Sequence, residues 1–324
     1  MKPMASKCRA RFLVVLWLIT AGFSLALTVS VLAQEDAQTD ELLRLNAEVD
    51  GNEFLLAEPF FVGVELINTS EKTVIVPYDR YGDQNRFSLR IISEDGRSIE
   101  RVRSARDSDG ARGVRLKPGE SLSELINPYD QYAIAAPGEY RVSASFQSDG
   151  VYYDKDADGG EHTTQEGWKG QLRVDLGTIS IRLPRSSSDK QALEAITPTE
   201  AEMPRQGDVK FPFVSAYREE NRSKLLTRVP ESRYADYARY FQAMDDLGRA
   251  NRSKILSLAE RASTELRKVP QIPGRRIFNE QVSFGIIRSA ESMKKPKYEI
   301  DALKSEFRKR FPLSRFLKPD RIKE

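Results

Sequence analysis

The apolar pattern of this 324-residue chain changes period part-way along. Through residues 42–183, apolar residues alternate in short runs, the period-two signature of strands with one buried face. Beyond residue 215 or so, they recur about every 3.6 residues, the spacing of helices with one buried stripe. One regular layer cannot satisfy both periods. The chain is therefore expected to be multidomain, β followed by α. Its length suits two modest domains, each able to bury its own core.

The strand signals are regular. Pro59-Phe60-Phe61-Val62-Gly63-Val64-Glu65-Leu66-Ile67 alternates and stops at Asn68-Thr69-Ser70. Thr73-Val74-Ile75-Val76 stops at Pro77, and Phe87-Ser88-Leu89-Arg90-Ile91-Ile92 stops at Glu94-Asp95-Gly96. Turns at Lys117-Pro118-Gly119-Glu120 and Pro137-Gly138-Glu139 lead into further runs at residues 121–126 and 140–146, and residues 171–183 form the last. About seven or eight short strands without intervening helices predict an Ig-like β-sandwich over residues 40–184. Glu58-Pro59 before a strand ending at Asn68, then Leu116-Lys117-Pro118-Gly119-Glu120-Ser121, then Pro137-Gly138-Glu139-Tyr140-Arg141-Val142, resemble the Ig-like modules of exported bacterial proteins. The resemblance implies a role in binding, spacing or support. The antibody-type disulfide is absent.

Residues 185–215 hold Ser186-Ser187-Ser188 and the prolines 198, 204 and 212, and are expected as a linker with one short helix at residues 190–196. An α-helical hairpin-repeat domain is expected over residues 216–324. Tyr234, Tyr237, Ala238 and Phe241 share one helical face, and Ile255, Ala259, Ala262 and Leu266 a second. Phe278, Val282, Ile286 and Ala290 form a third stripe, and Ile300, Leu303, Phe307 and Phe311 a fourth. Val229-Pro230, Val269-Pro270 and Phe311-Pro312 punctuate this pattern at intervals of 40 and 42 residues, each after a basic helix end. Pro230-Glu231-Ser232-Arg233-Tyr234-Ala235-Asp236-Tyr237-Ala238 resembles the opening of tetratricopeptide-like repeats in bacterial envelope proteins. That resemblance implies binding of peptides or partner proteins. The spacing exceeds the ~34 residues usual in that family.

Residues 1–33 read as a signal peptide. Lys2, Lys7, Arg9 and Arg11 precede an apolar run over residues 12–33 that closes on Val31-Leu32-Ala33. Export to a periplasmic or extracellular location is expected, with retention of residues 12–33 as a membrane anchor the alternative. The single Cys, Cys8, lies inside this leader, so disulfides, thiolate nucleophiles and Cys-based zinc sites are not expected in the mature chain. The single His, His162, leaves little room for Ser-His-Asp chemistry.

Charge divides with the pattern. Residues 35–184 carry 17 Lys+Arg against 28 Asp+Glu, a net of −11, and residues 185–324 carry 30 against 20, a net of +10. Opposite fields can hold two parts together, or the basic half can face a protein or an anionic envelope polymer. No basic strand interleaved with aromatics points to nucleic acid.

Asp154-Lys155-Asp156-Ala157-Asp158-Gly159 places three carboxylates at alternate positions before a glycine, which resembles the opening of an EF-hand-type calcium loop. Asp154, Asp156 and Asp158 are the candidate calcium ligands. The pattern then departs, with Gln165 at the twelfth position and Glu166 one residue late; a polar hairpin tip is the alternative. No catalytic residue and no further cofactor is assigned. The expected function is that of a non-enzymatic exported binding or scaffolding protein of the bacterial cell envelope. The alternatives are a carboxylate-dependent envelope hydrolase and a calcium-dependent adhesion module.

Overall fold

Period-two patterning becomes two main sheets. β1 (Leu43–Val49), β3 (Val62–Asn68) and β7 (Ser121–Ile126) form an antiparallel sheet in the order β1-β3-β7. A second sheet runs β2-β9-β8-β5, from β2 (Glu53–Leu55), β9 (Thr163–Arg182), β8 (Gly138–Asp154) and β5 (Arg86–Ser93). In it β2 is parallel to β9 and the other pairs are antiparallel. β4 (Val74–Tyr78) and β6 (Arg112–Leu116) make a separate antiparallel ribbon. The computed structural model describes residues 42–79, 85–101, 110–154, 163–203, 205–206, 209–210, 212–213, 216–312, 314 and 316.

Alternate side chains of these strands enter one core: Leu43 and Leu45, Val62, Val64 and Leu66, Phe87, Leu89 and Ile91. β9 changes phase within its length. Leu172 is buried before Gly177, and Ile179 and Ile181 are buried after it. The ladder explains the slip: Val142 pairs Gly177 while Ser143 pairs Asp175, so Leu176 is an extra residue. Gly177 sits at φ +78°, where a bulge needs glycine. Without that residue, one half of the strand would turn its apolar set to solvent.

The turn chemistry closes on Asn68, which is fully buried. Its Nδ2 donates to the carbonyls of Lys72 and Leu116 at 2.7 and 2.8 Å, and its Oδ1 accepts from the Ser70 N–H. Downstream, the Tyr140 hydroxyl donates to the Ala136 carbonyl at 2.7 Å, tying the Pro137-Gly138-Glu139 turn to its own strand.

β2 and β6 were not legible as strands, and β8 and β9 extend beyond the expected runs. Their added residues are mostly polar, with Val151, Tyr152, Tyr153 and Trp168 among them. Ser148 is buried all the same, its hydroxyl 2.7 Å from Asn85 Oδ1 and 2.9 Å from the Trp168 carbonyl. Long-range pairing holds these segments in the ladder where local pattern does not.

The 3.6-residue pattern becomes helices. α1 (Ser187–Ile196) is capped by Ser186, and α3 (Arg233–Ser253) by Ser232, each through its side-chain oxygen. α2 (Glu219–Arg228), α4 (Leu256–Lys268) and α6 (Lys297–Arg310) end just before the three prolines, and α5 (Arg276–Ser292) lies between α4 and α6. The residue before each proline is a buried apolar C-cap: Val229, Val269 and Phe311. Each interval between prolines therefore holds two helices. Of the four stripes, only Ile255 departs clearly: it precedes α4 and is 46% exposed. α3 and α4 are braced by buried Asp246, whose carboxylate takes Arg261 through two 2.6 Å bonds and Arg249 at 2.8 Å.

The two patterned halves share a core. Ala192 and Ile196 of α1, then Phe213, Leu225, Val229, Tyr234 and Ala238, belong to the same buried cluster as the strands. Residues 185–215 thus contribute to packing where a linker was expected. Ala192 and Ile196, four apart, are the short apolar stripe that does this. All described residues fall in a single compact unit, mixed β plus α. No helix among the described residues is long and apolar enough to cross a membrane.

Candidate functional site

A junction between strands and helices sets the geometry of the helical surface. Residues 55–58, between β2 and β3, form a turn with Ala57 at φ +63°. The Ala57 N–H donates to the Tyr129 hydroxyl at 3.0 Å, and the Leu56 carbonyl accepts from Tyr234 of α3 at 2.6 Å. Glu58, 1% exposed, closes the turn by accepting the Leu55 N–H at 2.8 Å.

The other oxygen of Glu58 faces the helices. It accepts from the Tyr237 hydroxyl at 2.8 Å, from Arg233 at 2.7 Å and from Nε and Nη2 of Arg275 at 3.2 and 3.1 Å. Arg275 is 4% exposed. Its guanidinium also donates to the Asp50 and Glu53 carbonyls and lies 3.9 Å from the centroid of the Phe54 ring. Burying a charge is costly unless it is paired and its donors are satisfied. Here one carboxylate and two guanidiniums meet, and the Asp50 and Glu53 carbonyls take two further Arg275 donors. Burial and the neighbouring Glu58 charge also push the Tyr237 hydroxyl well above its ordinary pKa, so it serves as a neutral donor.

Asp50, in the loop from β1 to β2, caps α5. Its Oδ1 accepts from the Ile277 N–H at 2.7 Å and its Oδ2 from the Phe278 N–H at 2.9 Å. These are N–H groups at a helix start, which lack intrahelical partners. Burial pushes the Asp50 carboxyl up to about 6 from 3.8, against the pull of those two N–H donors and of Arg275 and Arg276. Below the cap, Phe278 stacks near-parallel on Phe61 at 6.1 Å and meets Tyr237 at 4.5 Å. Glu48 adds an exposed ion pair to Arg276. The acids of these crossing pairs come from the acidic half and the arginines from the basic half.

This junction fixes α5, and α5 is the middle wall of a groove of about 380 Å³. α5 contributes Val282, Ser283, Ile286 and Ile287; α4 and the turn after it contribute Leu266, Arg267, Val269 and Gln271; α6 contributes Leu303, Glu306, Phe307 and Arg310. Leu266, Val282, Ile287 and Phe307 are buried, and Arg267, Glu306 and Arg310 are exposed at the mouth. Gly285 lets α4 and α5 approach closely, since a Cβ there would meet Leu266 Cδ1 at 2.9 Å. Ile286 and Leu303, half-buried, supply its accessible apolar surface, and the polar side chains expose at least as much.

Of the candidate calcium ligands, Asp154 is the last residue of β8 and pairs with Thr163 across the ladder. Asp156 and Asp158, with His162, lie outside the described residues. Among the described residues no group of three acids or histidines is placed to hold a metal. Asp50 and Glu58, the buried carboxylates of the junction, spend their oxygens on the structural bonds above.

In the sequence Glu58 belongs to a turn motif and Arg267 and Arg310 are helix-end cations; none of these, nor Asp50 or Arg275, stood out as a site residue. Pro273-Gly274-Arg275-Arg276 ahead of an apolar stripe was the available signal for a helix start in need of a cap. Nothing local pointed to a cap from the opposite end of the chain.

No family model and no curated protein matches the chain. Among solved structures, it is similar to the CARDB domain of a Pyrococcus furiosus protein, crystallised in complex with di-metal ions. The identity is 16%, over 45% of this chain and 100% of that one, with a TM-score of 0.22. A β-glucosidase from Erythrobacter marinus is similar at 16% identity over 41% of this chain and 15% of that chain, with a TM-score of 0.20.

Proposed function

We propose that the chain is an exported, non-enzymatic binding protein of the bacterial cell envelope. In this reading an Ig-like β-sandwich is the rigid base, and stacked helical hairpins present the α4–α5–α6 groove to a partner protein. The groove carries the proposal. It is concave, it presents Ile286 and Leu303 among polar side chains, and its central helix is locked to the strands through Glu58 and Asp50. Export rests on the leader pattern of residues 1–33. The sandwich reading is supported by the two sheets sharing one core, and the hairpin reading by the paired helices between prolines.

Site-specific photo-crosslinking in the envelope of the producing cell tests this. A crosslinker at Gln271, exposed at the groove, is expected to yield a discrete adduct that disappears in an Ile286→Glu background. The same crosslinker at Arg90, exposed on β5, is expected to yield none. Identical adducts from both positions, or none from Gln271, would sink the reading.

A further inference from the structure

We propose that the α4–α5–α6 groove takes a segment of a partner protein that seats apolar side chains between flanking carboxylates. This rests on the reading of the chain as a binding protein and names the chemistry of what it binds. The floor asks for apolar groups. Ile286 and Leu303, half-buried, present its apolar surface over the buried Leu266, Val282, Ile287 and Phe307, and the one hydroxyl there, Ser283, already donates to the Asn279 carbonyl at 2.9 Å. A polar ligand atom placed on this floor would lose its water without gaining a partner.

The mouth asks for anions. Arg267 lies in the last turn of α4 and Arg310 ends α6, so two guanidiniums stand at the rim against the single carboxylate of Glu306. All three are exposed, and none forms an ion pair among the described residues. Lys268, next to Arg267, is held by Glu265 at 2.6 Å, which leaves Arg267 and Arg310 as the cations of the rim. The net of +10 over residues 185–324 adds a long-range field of the same sign, which favours the approach of acidic partners. Guanidinium groups bind carboxylates through two parallel N–H bonds, so they also fix register.

The same arrangement favours a protein segment over a polyanion or a lipid surface. A polymer without apolar groups leaves the floor unfilled. A flat membrane meets rim charges without reaching a floor set below them.

A random-peptide display library selected on the full chain, and counter-selected on its Ile286→Glu variant, tests this. Enrichment of peptides with two or more apolar residues flanked by Asp or Glu is expected. Binding of the best peptide should weaken about tenfold or more when its acids are replaced by Lys. The Arg267→Glu, Arg310→Glu double variant changes only exposed side chains and is expected to select Lys- or Arg-flanked peptides instead. Reversing two helix-end cations, one of them over the Phe311 ring, lowers its urea midpoint somewhat, but its circular dichroism without denaturant should match the parent, which separates lost recognition from lost folding.

Enrichment of acidic peptides lacking apolar residues would assign the rim to polyanions and overturn the proposal. So would apolar peptides with no charge preference, or an unaltered selection by the double variant. If no peptide is enriched while the Gln271 adduct persists, the carboxylate chemistry falls and the binding function stands. If the adduct is also lost, both fall.

Discussion

Glu58 and Arg275 meet across 217 residues of sequence, with Nε and Nη2 of the arginine donating to one carboxylate oxygen at 3.2 and 3.1 Å. The pair joins the turn before β3 to the start of α5. It makes the strands and the helices one mechanical object, and the groove inherits its rigidity.

Removing one partner of a buried ion pair strands the other charge without water, and costs ~3–5 kcal/mol in comparable cases. Glu58→Ala leaves Arg275 buried and frees Tyr237 and Leu55 of their acceptor. A loss of that size is expected in urea unfolding. In the parent chain, Trp168 emission from β9 and the helical circular dichroism should fall in one coincident transition. Separate transitions would show that the halves unfold independently.

Gly51 approaches Arg275 from the other side. It sits at φ +102°, and a Cβ there would lie 2.5 Å from Arg275 Nη1 and 3.0 Å from the Gly274 carbonyl. Gly51→Ala meets both backbone strain and a clash with a side chain held by its own bonds. Destabilisation beyond ~1 kcal/mol is expected. An unchanged urea midpoint would contradict the close approach.

Asp50 gives the junction a pH dependence. Its folded pKa of about 6 lies above the ordinary 3.8, so the folded state holds an extra proton between these values. The stability tied to that proton is full below the unfolded pKa and is lost as pH rises through 6. Asp50→Asn cannot titrate. The stability advantage of the parent over this variant should therefore shrink between pH 4 and 7, by ~3 kcal/mol at most. Asp130 and Asp236, also pushed up to about 6 by burial, cancel in the difference. A constant or widening gap would refute the assignment.

Asn68→Ala removes the amide that satisfies the buried Leu116 carbonyl. Each buried group left without a partner costs ~1–3 kcal/mol. A fall in the melting temperature is expected, together with faster amide exchange at Gly119 and Glu120, whose turn closes on the Asn68 backbone. Protection unchanged at those two amides would place the turn's stability elsewhere.

Much of the local structure was written in local residues. Alternation marked β3 and β5, the Lys117-Pro118-Gly119-Glu120 turn marked β7, and Ser232 marked the start of α3. The Pro-preceding Val229, Val269 and Phe311 marked three helix ends, because a proline forbids the next helical bond. The polar lengths of β8 and β9 were not legible, since Ser148 owes its burial to Asn85 and Trp168 rather than to its neighbours in sequence.

By itself the sequence determined two periods, their turns and their caps, because those depend on residues a few positions apart. Only the tertiary structure decided that the halves share a core, that Asp50 caps α5 and that three helix faces leave a concavity. Capping and ion pairing at a junction depend on which distant groups are buried together. An apolar residue such as Val282 or Phe307 carries the same signature whether a neighbouring helix covers it fully or stands back to leave a groove.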